Sequence, residues 1–200
     1  MSRVRLILVR HAEPADAVRG RIYGRLDVEL SPGGLEAARG LAAMLAGESP
    51  SALYSSPLRR ALATAEPLAR ASGLDVGVVP ELREIDFGEL EGLTSEEAAA
   101  RYPVEARWTS APAAASFPGG ESVASLRARA ADAVVEILAR SDGGTVAVFS
   151  HAVVIRAILA GALAMPADAM FRLDQSYCGI SIVEWFDGTP YVRVVNAPRL

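Results

Sequence analysis

The chain has 200 residues, 51% of them hydrophobic, with 20 basic and 24 acidic side chains and a formal net charge of −4. This length and apolar content suit one compact α/β domain with a sizeable core, while the mildly negative balance excludes a sequence-wide basic field for nucleic acid or an anionic membrane surface. Every Lys/Arg position is arginine, which excludes a Schiff-base or P-loop lysine. Cys178 is the single cysteine, which excludes an internal disulfide and a Cys-rich zinc site and reads as a small buried hydrophobe.

Arg3 to Val9 alternates and then runs apolar, as a buried strand does, and Arg10 to Leu30 is a polar connection. Met1 to Leu8 is too short an apolar run for a signal peptide, so a cytoplasmic location is expected. Ser31 and Pro32 start a helix whose face is Leu35, Ala38, Leu41, Ala42 and Leu45, ending at Gly47. Ala52 to Ser55 is a short strand, Pro57 to Ser72 a helix bent at Pro67 and stopped by Gly73, and Leu74 to Val79 a further strand. From Glu81 to Gly120 the pattern weakens, with one acidic helix after Thr94, and residues 88–120 read as a flap or insertion over the sheet and its active site.

Ser122 to Arg140 is a long amphipathic helix, and Thr145 to Phe149 is a buried strand with Ser150 and His151 at its carboxyl end. Ala152 to Met165 follows, apolar but interrupted by Arg156 and too short to span a bilayer. Ile180 to Trp185 and Tyr191 to Val195, separated by Asp187 and Gly188, form a closing hairpin. Strands interleaved with helices predict a three-layer α/β/α sandwich, one domain over residues 1–200, with a mostly parallel sheet of about six strands.

The chain has only two histidines. Both fall immediately after predicted strands, where open α/β sheets place their ligands. Either alone reads as a structural histidine; with Arg10 beside His11, the pair points to a shared site. Phosphoryl transfer needs a nucleophile, cations on the equatorial oxygens and an acid for the leaving alkoxide. Two histidines without clustered Asp or Cys make a poor metal site, so arginines must supply the positive charge and no metal or cofactor is expected.

Five segments, in order, carry a family resemblance. They are L-V-R-H-A-E-P at Leu8 to Pro14, Y-G-R-L-D-V-E-L-S-P-G-G at Tyr23 to Gly34, S-S-P-L-R-R-A-L-A-T-A at Ser55 to Ala65, L-R-E-I-D-F-G-E-L-E-G at Leu82 to Gly92, and S-H-A at Ser150 to Ala152. Together they resemble the histidine phosphatase superfamily, with its phosphoglycerate mutase-like fold. The resemblance implies that His11 is the nucleophile and Glu84 the proton donor, and that Arg10, Arg60 and His151 hold the phosphoryl oxygens. His151 is the second catalytic histidine of that pattern. Neighbouring guanidinium charges would keep His11 neutral, and a partly buried site near acids such as Asp86 would assist protonation of Glu84.

Two positions depart from the pattern. Ala12 replaces a glycine, and Ala17 stands where many members carry a phosphate-contacting asparagine. Arg21 or the Gly24 backbone could compensate, and Arg21, Tyr23 and Gly24 are candidate substrate-binding residues; Arg21 reads equally as a solvated loop charge. Gly119 to Ser122 could cradle an anion or serve as a helix cap, Glu121 could line the pocket, and Trp108 and Phe117 read as flap packing. Asp86, Phe87 and Gly88 match a kinase D-F-G only by chance, because the other kinase motifs are missing.

The expected function is hydrolysis of a small phosphorylated metabolite through a phosphohistidine, with the motifs most similar to the α-ribazole phosphatase branch and its broad-specificity relatives. One alternative is mutase-type transfer, disfavoured because residues 89–120 offer only Arg101 and Arg107, far apart. The other is a non-catalytic phosphate-binding regulatory module, which would need neither acid nor nucleophile. The expected partner is a small phosphate ester, with no nucleic acid or membrane, and either a monomer or a homodimer fits.

Overall fold

The computed structural model describes residues 3–199. β1 (Arg3–Arg10) can be buried on both faces: Leu6 and Leu8 enter one apolar cluster, Ile7 and Val9 another. α1 (Pro32–Ala46) begins where the Ser31 hydroxyl accepts the Gly34 N–H. Its Ala38, Leu41, Ala42 and Leu45 are buried, but Leu35, expected on the same face, is 42% exposed. It lies in an open groove with Leu30, Leu62 and Val76.

β2 (Ala52–Ser55) leads into α2 (Arg59–Ser72), which contains Pro67 and stops at Gly73 with φ of 68°. α2 starts two residues later than the sequence suggests, because the Ser56 hydroxyl accepts the Leu58 N–H and holds the turn open. The strand expected over Leu74 to Val79 is only β3 (Val76–Val78), since β2 offers it just Leu53 to Ser55 as partners. α3 (Ser95–Arg101) carries a reciprocal cap between Thr94 and Glu97. α4 (Val123–Ala139), capped by Ser122, precedes β4 (Gly144–Ser150) and α5 (Ala152–Ala162). β5 (Ile180–Phe186) and β6 (Thr189–Ala197) close the chain as a hairpin. Asp187 and Gly188 turn it with φ of 48° and 84°, the positive values a two-residue hairpin loop requires.

The six strands form one sheet in the order β3-β2-β4-β1-β5-β6, parallel from β3 to β1 and antiparallel through β5 and β6. Residues of α1 and α2 pack on one face with Ile7, Val9 and Phe149; those of α4 and α5 pack on the other with Leu6, Leu8 and Val148. This is the α/β/α sandwich that the alternation of elements predicts.

Residues 88–120 are tied firmly to the rest. Trp108 meets Phe87, Phe117 and Phe171 edge-on at 5.0, 5.8 and 4.7 Å between ring centroids. The N–H groups of Gly120 and Glu121 donate to the carbonyls of Phe117 and Asp86. Gly119 to Ser122 is therefore a packed turn and helix cap, with the Gly120 and Glu121 N–H groups already engaged. Gly88 sits with φ of 53° where a Cβ would lie 2.0 Å from the Pro118 carbonyl oxygen. Replacing Gly88 with Ala should thus destabilise the fold by more than about 1 kcal/mol in denaturant unfolding; an unchanged midpoint would show that this junction can relax.

Candidate active site

The site follows from strand register. β1 and β4 are parallel, with Arg10 opposite Ser150, so the next residue of each strand, His11 and His151, emerges at the same carboxyl edge. The His11 N–H donates to the Ser150 carbonyl at 2.9 Å, and the two imidazole centroids are 5.1 Å apart. Ser56, immediately after β2, joins them through its N–H bond to Phe149.

His11 is 1% exposed, and its Nδ1 lies 2.7 Å from the Ala12 carbonyl oxygen. A carbonyl only accepts, so Nδ1 carries the proton and Nε2 keeps its lone pair. Burial, followed by the charges of Arg60 and Arg10, holds the imidazole well below the usual histidine range. Ala12, fully buried beside Leu30 and Ala38, fits where the family pattern has glycine. Its N–H donates to Thr64 Oγ1, which in turn donates to the Arg60 carbonyl.

His151 is fully buried, with Nε2 2.7 Å from Ser56 Oγ. Ser56 Oγ also accepts the Leu58 N–H; when its own hydrogen is given to Nε2, the His151 proton lies on Nδ1. Burial and the charge of Arg60 also hold this ring below the usual histidine range.

Arg60, on the first turn of α2, is fully buried and donates Nη1 and Nη2 to the carbonyls of Leu26 and Gly24 at 2.7 and 2.6 Å. Arg10 donates Nη1 to the Gln175 carbonyl at 2.5 Å. Three buried nitrogens at the site, Arg10 Nε, Arg60 Nε and His151 Nδ1, have no hydrogen-bond partner, and the first two are donors. A buried unpaired donor costs about 1–3 kcal/mol. Three such groups near one neutral imidazole have the chemistry to receive an anion.

Glu84 is buried, with Oε1 accepting the Ile85 N–H and Oε2 accepting the Val153 N–H at the start of α5. Arg129 holds this segment by donating to the carbonyls of Glu81, Arg83 and Glu84 and pairing with Glu121. Glu121 also accepts the Asp86 N–H, so it supports the site from behind. The Asp86 carboxylate faces Arg25 at 2.6 Å, which compensates the negative charge expected to act on Glu84.

Of the candidate substrate residues, Tyr23 stands beside His11, its ring centroid 6.3 Å away and 5.0 Å from the Arg60 guanidinium carbon. Burial and a hydroxyl contact with Tyr177 push its phenol up, so it stays neutral. Arg21 lines a cleft of about 280 Å³ with Glu13, Arg19, Tyr23 and Tyr177. Its guanidinium, however, donates to the Gly92 carbonyl and lies 3.8 Å from Glu97, because the Ile22 and Leu93 backbones pair beside it. Gly24 contributes its carbonyl to Arg60, and a Cβ there would lie 2.3 Å from Glu91 Oε1. Ala17 sits exposed in the turn Asp16–Val18.

Ser56, Thr64, Arg129, Gln175 and Tyr177 also build the site, and the sequence reading assigned none of them a role. Ser56 and Thr64 lie within a recognised segment; nothing local marks Gln175 or Tyr177. Cys178 is half-buried, and burial pushes its thiol up.

A larger groove of about 670 Å³ lies between α4, α5 and the hairpin turn, with Arg127 its one charged side chain among the described lining residues. Its apolar walls carry none of the groups that surround His11. Among the described residues, no group of three or more His, Cys, Asp or Glu is placed to hold a metal, and no helix is long and apolar enough to cross a membrane.

Comparison with known proteins agrees with this geometry. Phosphoserine phosphatase 1 of Hydrogenobacter thermophilus is 40% identical over 181 residues, 90% of this chain and 86% of that protein. A bifunctional protein of Mycobacterium tuberculosis is 38% identical over 197 residues, and there the match covers 96% of this chain but only 53% of the relative. A mycobacterial glucosyl-3-phosphoglycerate phosphatase structure superposes with a TM-score of 0.89 at 29% identity, covering 98% of this chain and 99% of that one. A family model matches residues 6–198, and the chain belongs to the histidine phosphatase superfamily, branch 1.

Proposed function

We propose that the protein hydrolyses phosphate monoesters of small metabolites in the cytoplasm by two successive transfers through His11, without a metal. The observation that carries this reading is the set of unpaired nitrogens, Arg10 Nε, Arg60 Nε and His151 Nδ1, near an imidazole kept neutral by burial and charge. His11 Nε2 attacks phosphorus and the ester P–O bond breaks. Glu84 gives its proton to the departing alkoxide. Water then attacks the phosphohistidine, the P–N bond breaks, and Glu84 takes the proton back. The three groups stabilise the charge that gathers on the equatorial oxygens in both steps.

Hydrolysis is favoured over mutase transfer because Arg101 and Arg107, the arginines of residues 88–120, are exposed and lie on separate elements, α3 and the turn Glu105–Arg107. That segment serves as an insertion beside the site, held by its aromatic cluster. A non-catalytic phosphate-binding module would have no use for a buried Glu84 or for a lone pair on His11. For the substrate, the motif resemblance supports α-ribazole 5′-phosphate, and the 40% identical relative adds phosphoserine as a second candidate. A panel of phosphorylated metabolites containing both would rank them.

An aryl phosphate assay tests the reaction class. Turnover should resist chelator and be inhibited by vanadate. Replacing His11 with Ala should abolish it, and Glu84→Gln should lower kcat by about 100- to 10,000-fold. Full activity in H11A would remove His11 from the mechanism.

Acid pH supplies a separate check. Only protonation of His11 destroys its nucleophilicity, so the acid limb of kcat/KM should lie below 6.5, the ordinary histidine value; a midpoint at or above it contradicts the buried neutral imidazole. Stability should fall as pH drops from about 6.5, because the unfolded chain then binds protons that the folded His11 and His151 refuse. Denaturant midpoints that stay level through that range would contradict the same assignment.

A further inference from the structure

We propose that Tyr177 is a positioning residue for Arg10, fixing the plane of its guanidinium so that Nε faces the phosphoryl group. This rests on the phosphatase reading above. The Arg10 guanidinium carbon lies 4.0 Å from the Tyr177 ring centroid, closer than the 5.0 Å between Arg60 and Tyr23. The same ring stands 5.6 Å from the His11 ring, so it walls one side of the pocket. Its hydroxyl lies 3.3 Å from that of Tyr23, and the two rings together flank His11.

The need for such a residue follows from the hydrogen bonds of Arg10. Its Nη1 donates to the Gln175 carbonyl, while Nε is buried and unpaired. One bond leaves the guanidinium free to rotate about that contact. A ring face beneath the guanidinium carbon restricts this freedom and stabilises the cation without taking a hydrogen-bond donor away from the substrate. A carboxylate in the same place would pair with the donors instead.

The loop that presents the ring is held rigidly. Asn196, from the far end of β6, accepts the Ser176 N–H at 2.6 Å and donates to Asp174 and to the Ser176 hydroxyl. The Cys178 N–H donates to the Arg10 carbonyl at 3.1 Å, and the Arg10 N–H to the Gly179 carbonyl at the same distance. Gly179 is required by this staple, since a Cβ would lie 2.2 Å from Asn196 Oδ1. Tyr177 itself is 40% exposed, so its side chain is not held there by the core.

The test compares Y177L and Y177F, each alone and in an R10K background. The readouts are kcat and KM for an aryl phosphate, inhibition by vanadate and calorimetric binding of inorganic phosphate. In Y177L, KM and the vanadate inhibition constant should rise roughly 3- to 30-fold, the range a cation–π contact of this kind carries, with a smaller change in kcat. Y177F, which keeps the ring, should recover most of that loss, and the Y177L effect should vanish once Arg10 is Lys. Unchanged vanadate and phosphate affinity in Y177L, or an equal penalty in both backgrounds, would overturn the proposal. Should Y177L fail to fold, Y177H, with a planar ring, and Y177Q, without one, make the same comparison. Failure of the phosphatase reading would show separately, as wild-type protein without vanadate-sensitive turnover, and phosphate binding would still report on Tyr177.

Discussion

Burying a guanidinium removes it from water at a cost of several kcal/mol unless its N–H groups meet acceptors, and this chain buries Arg60 completely and brings Arg10 to the same histidine. Carboxylates could supply the acceptors, but a carboxylate paired with either arginine would compete with the phosphate for it. The fold supplies carbonyls instead: Gly24 and Leu26 for Arg60, Gln175 for Arg10. Carbonyls satisfy donors without cancelling charge, so the pocket stays positive. The same positive field, added to burial, keeps His11 neutral, as the proposed nucleophile must be.

Much of the surrounding structure can be understood as holding those carbonyls in place. The 23–27 loop must bring two carbonyl oxygens to Arg60, and it is fastened by Asp27 and Glu29 to Arg59, and by Glu91 and Asp86 to Arg25. The acids of the segment Leu82 to Gly92 thus divide their work. Glu84 faces the site, while Asp86 and Glu91 clamp the loop that supports Arg60. On the opposite side, Asn196 and the loop from Asp174 to Gly179 perform the same service for Arg10.

The residues proposed to meet the phosphoryl group could be picked out in sequence because each lies at a strand end or on the first turn of a helix, inside a segment that carries the family resemblance. His11 and His151 were paired from their places after predicted strands together with Arg10 beside His11, and parallel register then explains why they lie side by side. The supports were not readable. Tyr177 reaches Arg10 across a separation of more than a hundred and sixty positions, through a turn with no motif, as the Gln175 contact does. Arg21 read equally as a substrate contact and as a solvated loop charge for a related reason: it lines the cleft, but the partner of its guanidinium, Gly92, is set by a distant backbone pairing. Leu35 kept the helical period and still became exposed, since periodicity gives a face and not what covers it.

The central claim is that His11 takes the phosphoryl group before water does. The stereochemical course at phosphorus tests it most directly, with a phosphate ester made chiral by oxygen isotopes and sulfur and hydrolysed in isotopically labelled water. Two in-line displacements, first by His11 Nε2 and then by water, invert phosphorus twice, so overall retention of configuration is expected. Net inversion would mean that water attacks the ester directly, and His11 would then have to be a base or a binding group.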